Sequence, residues 1–340
     1  MKRILILAAV AALTASACTK SFEAVPTQGS SLGFGTWANV LTKARDAGSS
    51  TFVNGDDFNV YGFKTISSAN TTVFDGDVVS FDGTDWTYSD LRFWDTNASS
   101  YTFYAVSPAG LTASADAQTG EFTSNSITFA GNDNDILVAD KAVVANADFN
   151  NLVNLSFNHI ASLVDFKVKK HAEIAAATVS VTSFQISDID NVGSFSVNDA
   201  YSANHPAVTW NATARGMYSN TSGVTSVATL PDDIGTDGSD FLINHLVAMP
   251  QTFRTDANKQ TVTIEYTITS GGDTVNESAT FDLSTFDKVD DKDNEDTLIG
   301  GWEGGKHYTF YITINANAIT FSASIADWVT ADNGYHYLLK

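Results

Sequence analysis

The histidines, the acidic clusters and the single cysteine are the side chains here that could bind a metal or catalyse a reaction. The six histidines show no metal-ligand spacing, which indicates structural or surface positions. The acidic run at 290–296 could attract Ca²⁺, but it lacks the glycine at the sixth loop position and the spaced glutamate of an EF-hand. That run and the polar run at 132–135 are interpreted as solvated loops. We therefore expect no metal site.

The sequence contains no motif for a known catalytic apparatus. A serine nucleophile elbow, a zinc-protease helix, a phosphate-binding loop and a dinucleotide fingerprint are all missing from it. A pair of carboxylates that only the fold brings together stays open, because sequence does not reveal such pairs. We predict a protein that is not an enzyme, with no catalytic residue and no cofactor.

The single cysteine, Cys18, follows a segment typical of an export signal. Lys2 and Arg3 precede an apolar run at 4–13, and small residues then lead to Cys18. This segment resembles a bacterial lipoprotein signal, although Ala15 stands where leucine is commoner. The sequence predicts lipidation at Cys18 and membrane tethering by lipid. An ordinary secretory signal with an incidental cysteine is the alternative.

The charge balance excludes one class of partner. The chain has 340 residues, 18 Lys and Arg against 39 Asp and Glu, and a formal net charge of −21. A nucleic-acid binder needs basic residues to displace phosphate counterions, so no nucleic-acid partner is expected. The length allows roughly two domains.

Short alternating runs between Gly, Asn, Asp and Ser clusters indicate β-strands throughout the exported chain. About seven strands precede residue 141, the number of a small β-sandwich, and a second set follows. Asn and Asp interrupt the apolar pattern near 145–151. We predict a signal peptide at 1–18, an N-terminal β-sandwich at 19–148 and a C-terminal β-sandwich at 149–340. The tryptophans are expected to pack in cores or between domains.

Several segments, read in order, resemble the fimbrillin family, the pilins and fimbrial subunits of gut and oral anaerobes. An R-x-W motif precedes Y-x-F-Y-A-x-x-P, and later come an apolar-Pro-Gln segment, W-x-x-G-K-x-Y and I-x-x-W. The motifs are carried by these residues: Arg92, Trp94, Tyr101, Phe103, Tyr104, Ala105, Pro108, Met249, Pro250, Gln251, Trp302, Gly305, Lys306, Tyr308, Ile325 and Trp328.

The resemblance implies two transthyretin-like β-sandwich domains in tandem and a lipoprotein precursor that reaches the outer membrane. It also implies assembly with other fimbrial subunits by strand exchange, in a homopolymer or a heteropolymer. In the assembly that the resemblance implies, a trypsin-like protease cuts after a basic residue in the loop that follows the first strand. The vacated groove then accepts a donor strand from the C-terminal end of another subunit.

This sequence offers a candidate for each part of that process. The candidate leaving strand is 32–40, and Arg45, or else Lys43, is the expected cleavage site in the polar loop at 42–50. The candidate donor strand is 333–340, where Tyr335, Tyr337 and Leu339 share one face. Ordinary surface charges and an edge strand of its own domain are the competing interpretations.

The sequence therefore predicts a subunit of a cell-surface fimbria that acts in adhesion, with a host or bacterial surface receptor as a further partner. Three alternatives stay open. They are an anchor or tip subunit, a surface glycan-binding lipoprotein with tryptophan and tyrosine platforms, and a hydrolase built on a β-sandwich.

Overall fold

The computed structural model describes residues 28–36, 52–131, 135–197, 206–220, 240–286, 298–315 and 319–327. Within these ranges the chain forms strands and three short 3₁₀ helices, and no α-helix. The predicted all-β sandwich fold is confirmed. The 3₁₀ helices are η1 (Asn146–Asp148), η2 (Ala172–Ile174) and η3 (Leu283–Thr285).

The first fourteen strands lie between residues 28 and 159. They are β1 (Gln28–Ser31), β2 (Phe34–Thr36), β3 (Asp57–Ile66), β4 (Ala69–Phe81), β5 (Trp86–Thr87), β6 (Phe93–Asp95), β7 (Ser100–Ser107), β8 (Thr112–Ala115), β9 (Phe122–Ser124), β10 (Ile127–Thr128), β11 (Leu137–Ala139), β12 (Ala142–Ala145), β13 (Val153–Leu155) and β14 (Phe157–His159).

The remaining strands follow residue 161. They are β15 (Ser162–Lys170), β16 (Thr178–Val197), β17 (Val208–Asn220), β18 (Asp240–Ala248), β19 (Gln251–Thr252), β20 (Thr261–Ser270), β21 (Asp273–Asp282), β22 (Gly301–Trp302), β23 (Lys306–Ile314) and β24 (Ile319–Asp327).

The N-terminal sandwich packs one large sheet against two small ones. The large sheet has the order β14-β11-β7-β3-β4-β5, with β12 also paired to β7. The small sheets are β1 with β6 and β2 with β13. Their inward side chains, including Phe34, Trp94 and Val153, join the buried side chains of the large sheet in one apolar core. Strands β1 and β2 thus form part of the layer that covers the large sheet.

The C-terminal sandwich packs a seven-stranded sheet against a four-stranded one. The larger sheet has the order β21-β20-β16-β9-β8, with β10 and β17 also paired to β16, and the smaller has the order β18-β15-β23-β24. Val262, Ile264 and Tyr266 alternate as buried residues along β20, as the period-two pattern predicts. They pack with the inward side chains of β15 and β23.

Strand β16 is longer than the sequence pattern indicates. The apolar alternation predicts separate strands at 178–186 and 194–197, because a polar stretch lies between them. In the structure one strand runs through, and its register with β17 shifts between Ile186 and Ile189 and again on either side of Val192. Asp188 has a φ of 58° at this irregularity. β-bulges therefore carry the polar stretch without ending the strand.

The two sandwiches share a third apolar core. It combines Tyr104 and Val106 of β7 with Phe195 of β16 and with Val247 and Met249. Strands β9 and β10 also pair with β16 across the predicted boundary at 148/149. The division into domains at that position stays a prediction.

Candidate functional site: the first strand and its groove

The segment Gln28–Thr36 forms two short strands that make few backbone pairings. Strand β1 runs antiparallel to β6, with Gln28 opposite Asp95 and Ser31 opposite Phe93. Strand β2 runs parallel to β13, with Phe34 opposite Val153. Each pair is an isolated two-stranded sheet. Such short ladders contribute little stability by themselves, so side chains must supply much of what holds the segment.

Two side chains of the segment are inserted into the N-terminal core. Leu32 is 1% exposed and Phe34 is 3% exposed. The Phe34 ring makes edge contacts with four other rings. Its centroid lies 6.0 Å from that of Phe58, 5.4 Å from Phe74, 5.8 Å from Tyr88 and 5.9 Å from Phe103. We call these four rings the aromatic socket. Edge-on packing of this kind adds to the stabilisation from apolar burial.

Hydrogen bonds fix the backbone between the two inserted side chains. The Leu32 amide donates to the Arg92 carbonyl at 2.8 Å, and the Val153 amide donates to the Gly33 carbonyl at 2.8 Å. The Tyr88 hydroxyl donates to the Leu32 carbonyl at 2.7 Å and accepts from the Arg92 amide at 3.3 Å. Burial raises the pKa of Tyr88, so this hydroxyl keeps its donated proton at neutral pH.

Arg92 and Trp94 of the R-x-W motif support the side of the groove formed by β6. The Arg92 Nε donates to the Val73 carbonyl at 3.2 Å, and its Nη2 lies 2.9 Å from Asp77 Oδ1. Trp94 is buried and stacks on Phe149 at 4.6 Å between centroids. The motif thus holds β6 in position for pairing with β1.

Gly33 and Gly35 of the segment permit close approach to the chain beside β13. A Cβ on Gly33 would lie 2.7 Å from Leu152 Cδ2, and one on Gly35 would lie 3.1 Å from Asn154 Oδ1. The groove is therefore deep and apolar where Leu32 and Phe34 enter the core. It is shallow beside Leu152 and Asn154, where a side chain larger than glycine has little room. Asn150 closes one end, because its Oδ1 accepts from the Ser30 amide at 3.0 Å and from the Ser30 hydroxyl at 2.8 Å.

The site residues predicted from sequence lie outside the described residues. This applies to Cys18, Lys43, Arg45, Tyr335, Tyr337 and Leu339. Part of the predicted leaving strand at 32–40 is described. Among the described residues, pairing is present from Gln28 to Ser31, and the strand is interrupted at Leu32 and Gly33 before β2. Sequence reasoning missed Tyr88 and Asn150, whose partners in the first strand are 56 and 120 positions away.

One acidic residue differs from its sequence interpretation. Asp135 was predicted to lie in a solvated loop, but it is fully buried and pairs with Nδ1 of the buried His159. A second pair joins His307 Nε2 to Asp165 Oδ2 at 2.8 Å. Within the described ranges, no group of three or more His, Cys, Asp or Glu residues is arranged to hold a metal ion.

The tryptophans whose side chains are described serve packing. Trp94 and Trp302 are almost fully buried. Trp86 contacts the rings of Phe52 and Phe58, at 5.1 and 4.8 Å between centroids. Trp210 donates to the Ile160 carbonyl at 3.2 Å. Trp86 and Trp210 are partly buried.

The W-x-x-G-K-x-Y motif builds the turn that leads into β23. The Glu303 amide donates to the Tyr308 hydroxyl at 2.8 Å, and burial raises the pKa of Tyr308 to about 12. Gly305 has a φ of 73°, which favours glycine, and its amide donates to the Ala161 carbonyl at 2.8 Å. The motif is therefore structural.

Comparison with known proteins gives a family and a shared fold. A sequence model of the family described as fimbrillin-like matches residues 42–328. Among curated proteins there is no match. A solved fimbrial protein of Bacteroides vulgatus is 16% identical and has a TM-score of 0.54, covering 88% of this chain and 99% of its own. A proposed cell adhesion protein of Bacteroides uniformis is 15% identical with a TM-score of 0.49, covering 90% of this chain and 99% of its own.

Sequence identities this low show similarity of fold alone. Within the part of the chain that the structure describes, no helix is long and apolar enough to cross a membrane.

Proposed function

Because the chain belongs to the fimbrillin-like family, we propose that it is a structural subunit of a cell-surface fimbria and that it contributes to adhesion. It is exported as a lipoprotein precursor, lipidated at Cys18, and reaches the outer membrane. A trypsin-like protease then releases the first strand, and a donor strand from another subunit takes its place. The protein works by binding its neighbours and catalyses no reaction.

The way Gln28–Thr36 is held supports this proposal most directly. The segment has few backbone pairings, yet it places Leu32 and Phe34 fully inside the core. Its loss would expose an apolar groove and unpaired strand edges, both of which are costly in water. An incoming strand restores the side-chain packing and the hydrogen bonds together, as in strand addition to other sheets.

The position of the basic residues is consistent with release by proteolysis. Lys43 and Arg45 follow Phe34–Thr36 in sequence and precede strand β3. A cut at either residue would leave Gln28–Thr36 attached to the rest of the protein only through noncovalent contacts. Arg45 is the first choice, because Lys43 lies closer to the strand.

The donor strand proposed for this subunit is its C-terminal segment, with Tyr335, Tyr337 and Leu339 on one face. It would enter the groove of a neighbouring subunit. An anchor subunit would instead keep its lipid and its first strand, and would end the fibre at the membrane.

Cleavage is tested by treating the purified precursor with an Arg-specific protease and weighing the products by mass spectrometry. We expect a cut after Arg45, followed by dissociation of the fragment that carries the first strand. Arg45→Ala should abolish both, whereas Lys141→Ala serves as the control and should leave both unchanged. An uncut chain, or a cut chain that keeps this fragment, would reject the stalk role and favour an anchor subunit.

Lipidation is tested separately by metabolic labelling of the precursor with a fatty acid. Label should appear on the wild-type chain and disappear in Cys18→Ser. A labelled Cys18→Ser chain would contradict attachment at this residue.

A further inference from the structure

We infer that the groove occupied by Gln28–Thr36 selects a strand with the pattern apolar, small, aromatic, small, and that this strand comes from a subunit other than a second copy of this chain. The inference rests on the proposed function, because it describes which donor strand the vacated groove accepts. The pattern is that of Gln28–Thr36, the segment that occupies the groove in the structure and that we call the resident strand. Its residues at the four positions are Leu32, Gly33, Phe34 and Gly35.

The aromatic socket determines the third position of the pattern. Phe34 is surrounded by the rings of Phe58, Phe74, Tyr88 and Phe103 at centroid distances of 5.4 to 6.0 Å. A smaller side chain would leave a cavity between these rings, and cavities in packed cores are strongly unfavourable. The incoming strand must therefore supply a ring at this position.

The chemistry of the socket favours phenylalanine over tyrosine. Of the four surrounding rings only Tyr88 carries a polar group, and its hydroxyl already donates to Leu32 and accepts from Arg92. A second phenol placed among these rings would bury a hydroxyl poorly supplied with partners, which weakens binding.

The shallow side of the groove determines the second and fourth positions. At these positions the native strand has Gly33 and Gly35, and an added Cβ would meet Leu152 at 2.7 Å or Asn154 at 3.1 Å. Leu152 is 60% exposed, so its side chain can move aside. That movement costs the packing of Leu152 over the strand. A larger side chain is thus tolerated at a cost, and a small one is preferred.

The C-terminal segment of this chain departs from the pattern. With Tyr337 at the ring position, His336 and Leu338 fall where the resident strand has glycine. With Tyr335 at the ring position, Gly334 matches Gly33, but Asn333 falls at the apolar position and His336 at that of Gly35. That segment suits a groove of different shape. The structure therefore favours a heteropolymer, in which this groove receives the strand of a different subunit.

The test uses the full chain with a specific protease site inserted between residues 36 and 52, nicked after purification. A labelled peptide with the sequence of residues 28–36 reports exchange through fluorescence polarisation, and unlabelled peptides compete with it. We expect the native peptide to exchange. The peptide change Phe34→Ala should weaken competition at least about 100-fold and Phe34→Tyr about tenfold, whereas the control Ser31→Ala should compete like the native peptide.

A matched change in the protein tests the shallow side. The peptide change Gly33→Val should weaken competition roughly fivefold, and Leu152→Ala in the protein should remove most of that loss. A peptide of residues 333–340 should compete at least about tenfold more weakly than the native one. Peptides allow these comparisons without altering the folding of the protein, apart from the surface change at Leu152.

The possible failures are distinguishable. If no peptide replaces the resident segment after nicking, the groove is not refillable, and strand exchange as proposed above is wrong together with the selectivity. If peptides exchange but Phe34→Ala competes like the native sequence, only the selectivity is wrong. Equal competition by the 333–340 peptide would overturn the inference that the donor is a different subunit.

Discussion

At the scale of single residues, Phe34 links the first strand to the core of the N-terminal sandwich. Its ring touches side chains from β3, β4 and β7 as well as Tyr88. A short strand with so few backbone pairings can stay in place because one large side chain is fully buried. The sequence marks this residue only as part of an apolar run, since the four rings lie 24 to 69 positions away.

Replacing Phe34 by alanine should lower the free energy of unfolding by about 3–5 kcal/mol, because it leaves a cavity among four rings. Equilibrium denaturation in urea measures the loss. Phe93→Ala is the matched control on the neighbouring strand β6, where the ring is 40% exposed, and it should cost about 1 kcal/mol or less. Equal losses in the two variants would mean that Phe34 does not hold the segment.

The buried carboxyl of Asp165, in the C-terminal sandwich, makes the stability of the protein depend on pH. Burial raises the pKa of this carboxyl, but the hydrogen bond and charge of His307 and the amide of His245 together outweigh burial, so the pKa lies below its usual value. The His245 amide donates to Asp165 Oδ1 at 2.6 Å. A carboxyl whose pKa falls on folding stabilises the folded state above the unfolded pKa, about 4.

We therefore expect the contribution of Asp165 to be complete above about pH 4 and to disappear as the pH falls through the lowered native value. Asp165→Asn should cost about 3 kcal/mol at pH 7 and should flatten the acid limb of the stability curve. The exposed Asp148→Asn should stay within about 0.5 kcal/mol of wild type. Urea denaturation at a series of pH values decides the matter, and parallel acid limbs for wild type and Asp165→Asn would contradict it.

At the scale of elements, β1 pairs antiparallel with β6 in a two-stranded sheet of their own. Ser31 lies opposite Phe93 in that pairing. Opposite residues in an antiparallel pair have Cα atoms about 4.5–5.5 Å apart, which suits a disulfide. A covalent link at this position would prevent the first strand from leaving.

A chain with Ser31→Cys and Phe93→Cys, made in a Cys18→Ser background, should therefore retain its first strand after nicking while oxidised. Reduction should restore release, so that the labelled peptide of residues 28–36 enters the groove and elutes with the protein. Gel filtration before and after dithiothreitol is the measurement, and the same chain in reduced form is its own control. Equal binding of the peptide in both states would show that the groove accepts a strand without loss of the first one.

Strand β16 shows how long-range contacts override local pattern at this scale. The Arg254 guanidinium lies 3.1 Å from Asp190 Oδ1, and the Gln251 side chain accepts from the Asp190 amide at 2.9 Å. These partners, about sixty positions away, satisfy the polar groups at the irregular part of the strand. The local sequence pattern indicates a break there, because it reflects only neighbouring residues and not these distant partners.

At the scale of the whole molecule, a third core ties the two sandwiches together. Phe195 is buried in it and contacts Phe122 and Trp210 at 5.5 and 5.2 Å between ring centroids. Strands β9 and β10 extend the larger sheet of the C-terminal sandwich. Apolar contacts of this extent favour cooperative unfolding.

We expect one calorimetric transition for the whole chain, with the van't Hoff enthalpy equal to the calorimetric enthalpy. Phe195→Ala should lower the free energy of unfolding by about 3–5 kcal/mol and make the transition less cooperative. Ser31→Ala, far from this core and exposed, is the control. Two resolved transitions in the wild-type chain would instead support independent domains divided near residue 148.

The sequence alone was sufficient to predict the all-β fold, the inward positions of β20 and the fimbrillin family. Each depends on local period-two alternation or on motifs read in order, and both are properties of neighbouring residues. The tertiary structure decided that Asp135 is buried against His159, that β16 is continuous, and that Phe34 occupies a socket of four rings. Those features need partners distant in sequence, and only the folded chain brings such partners together.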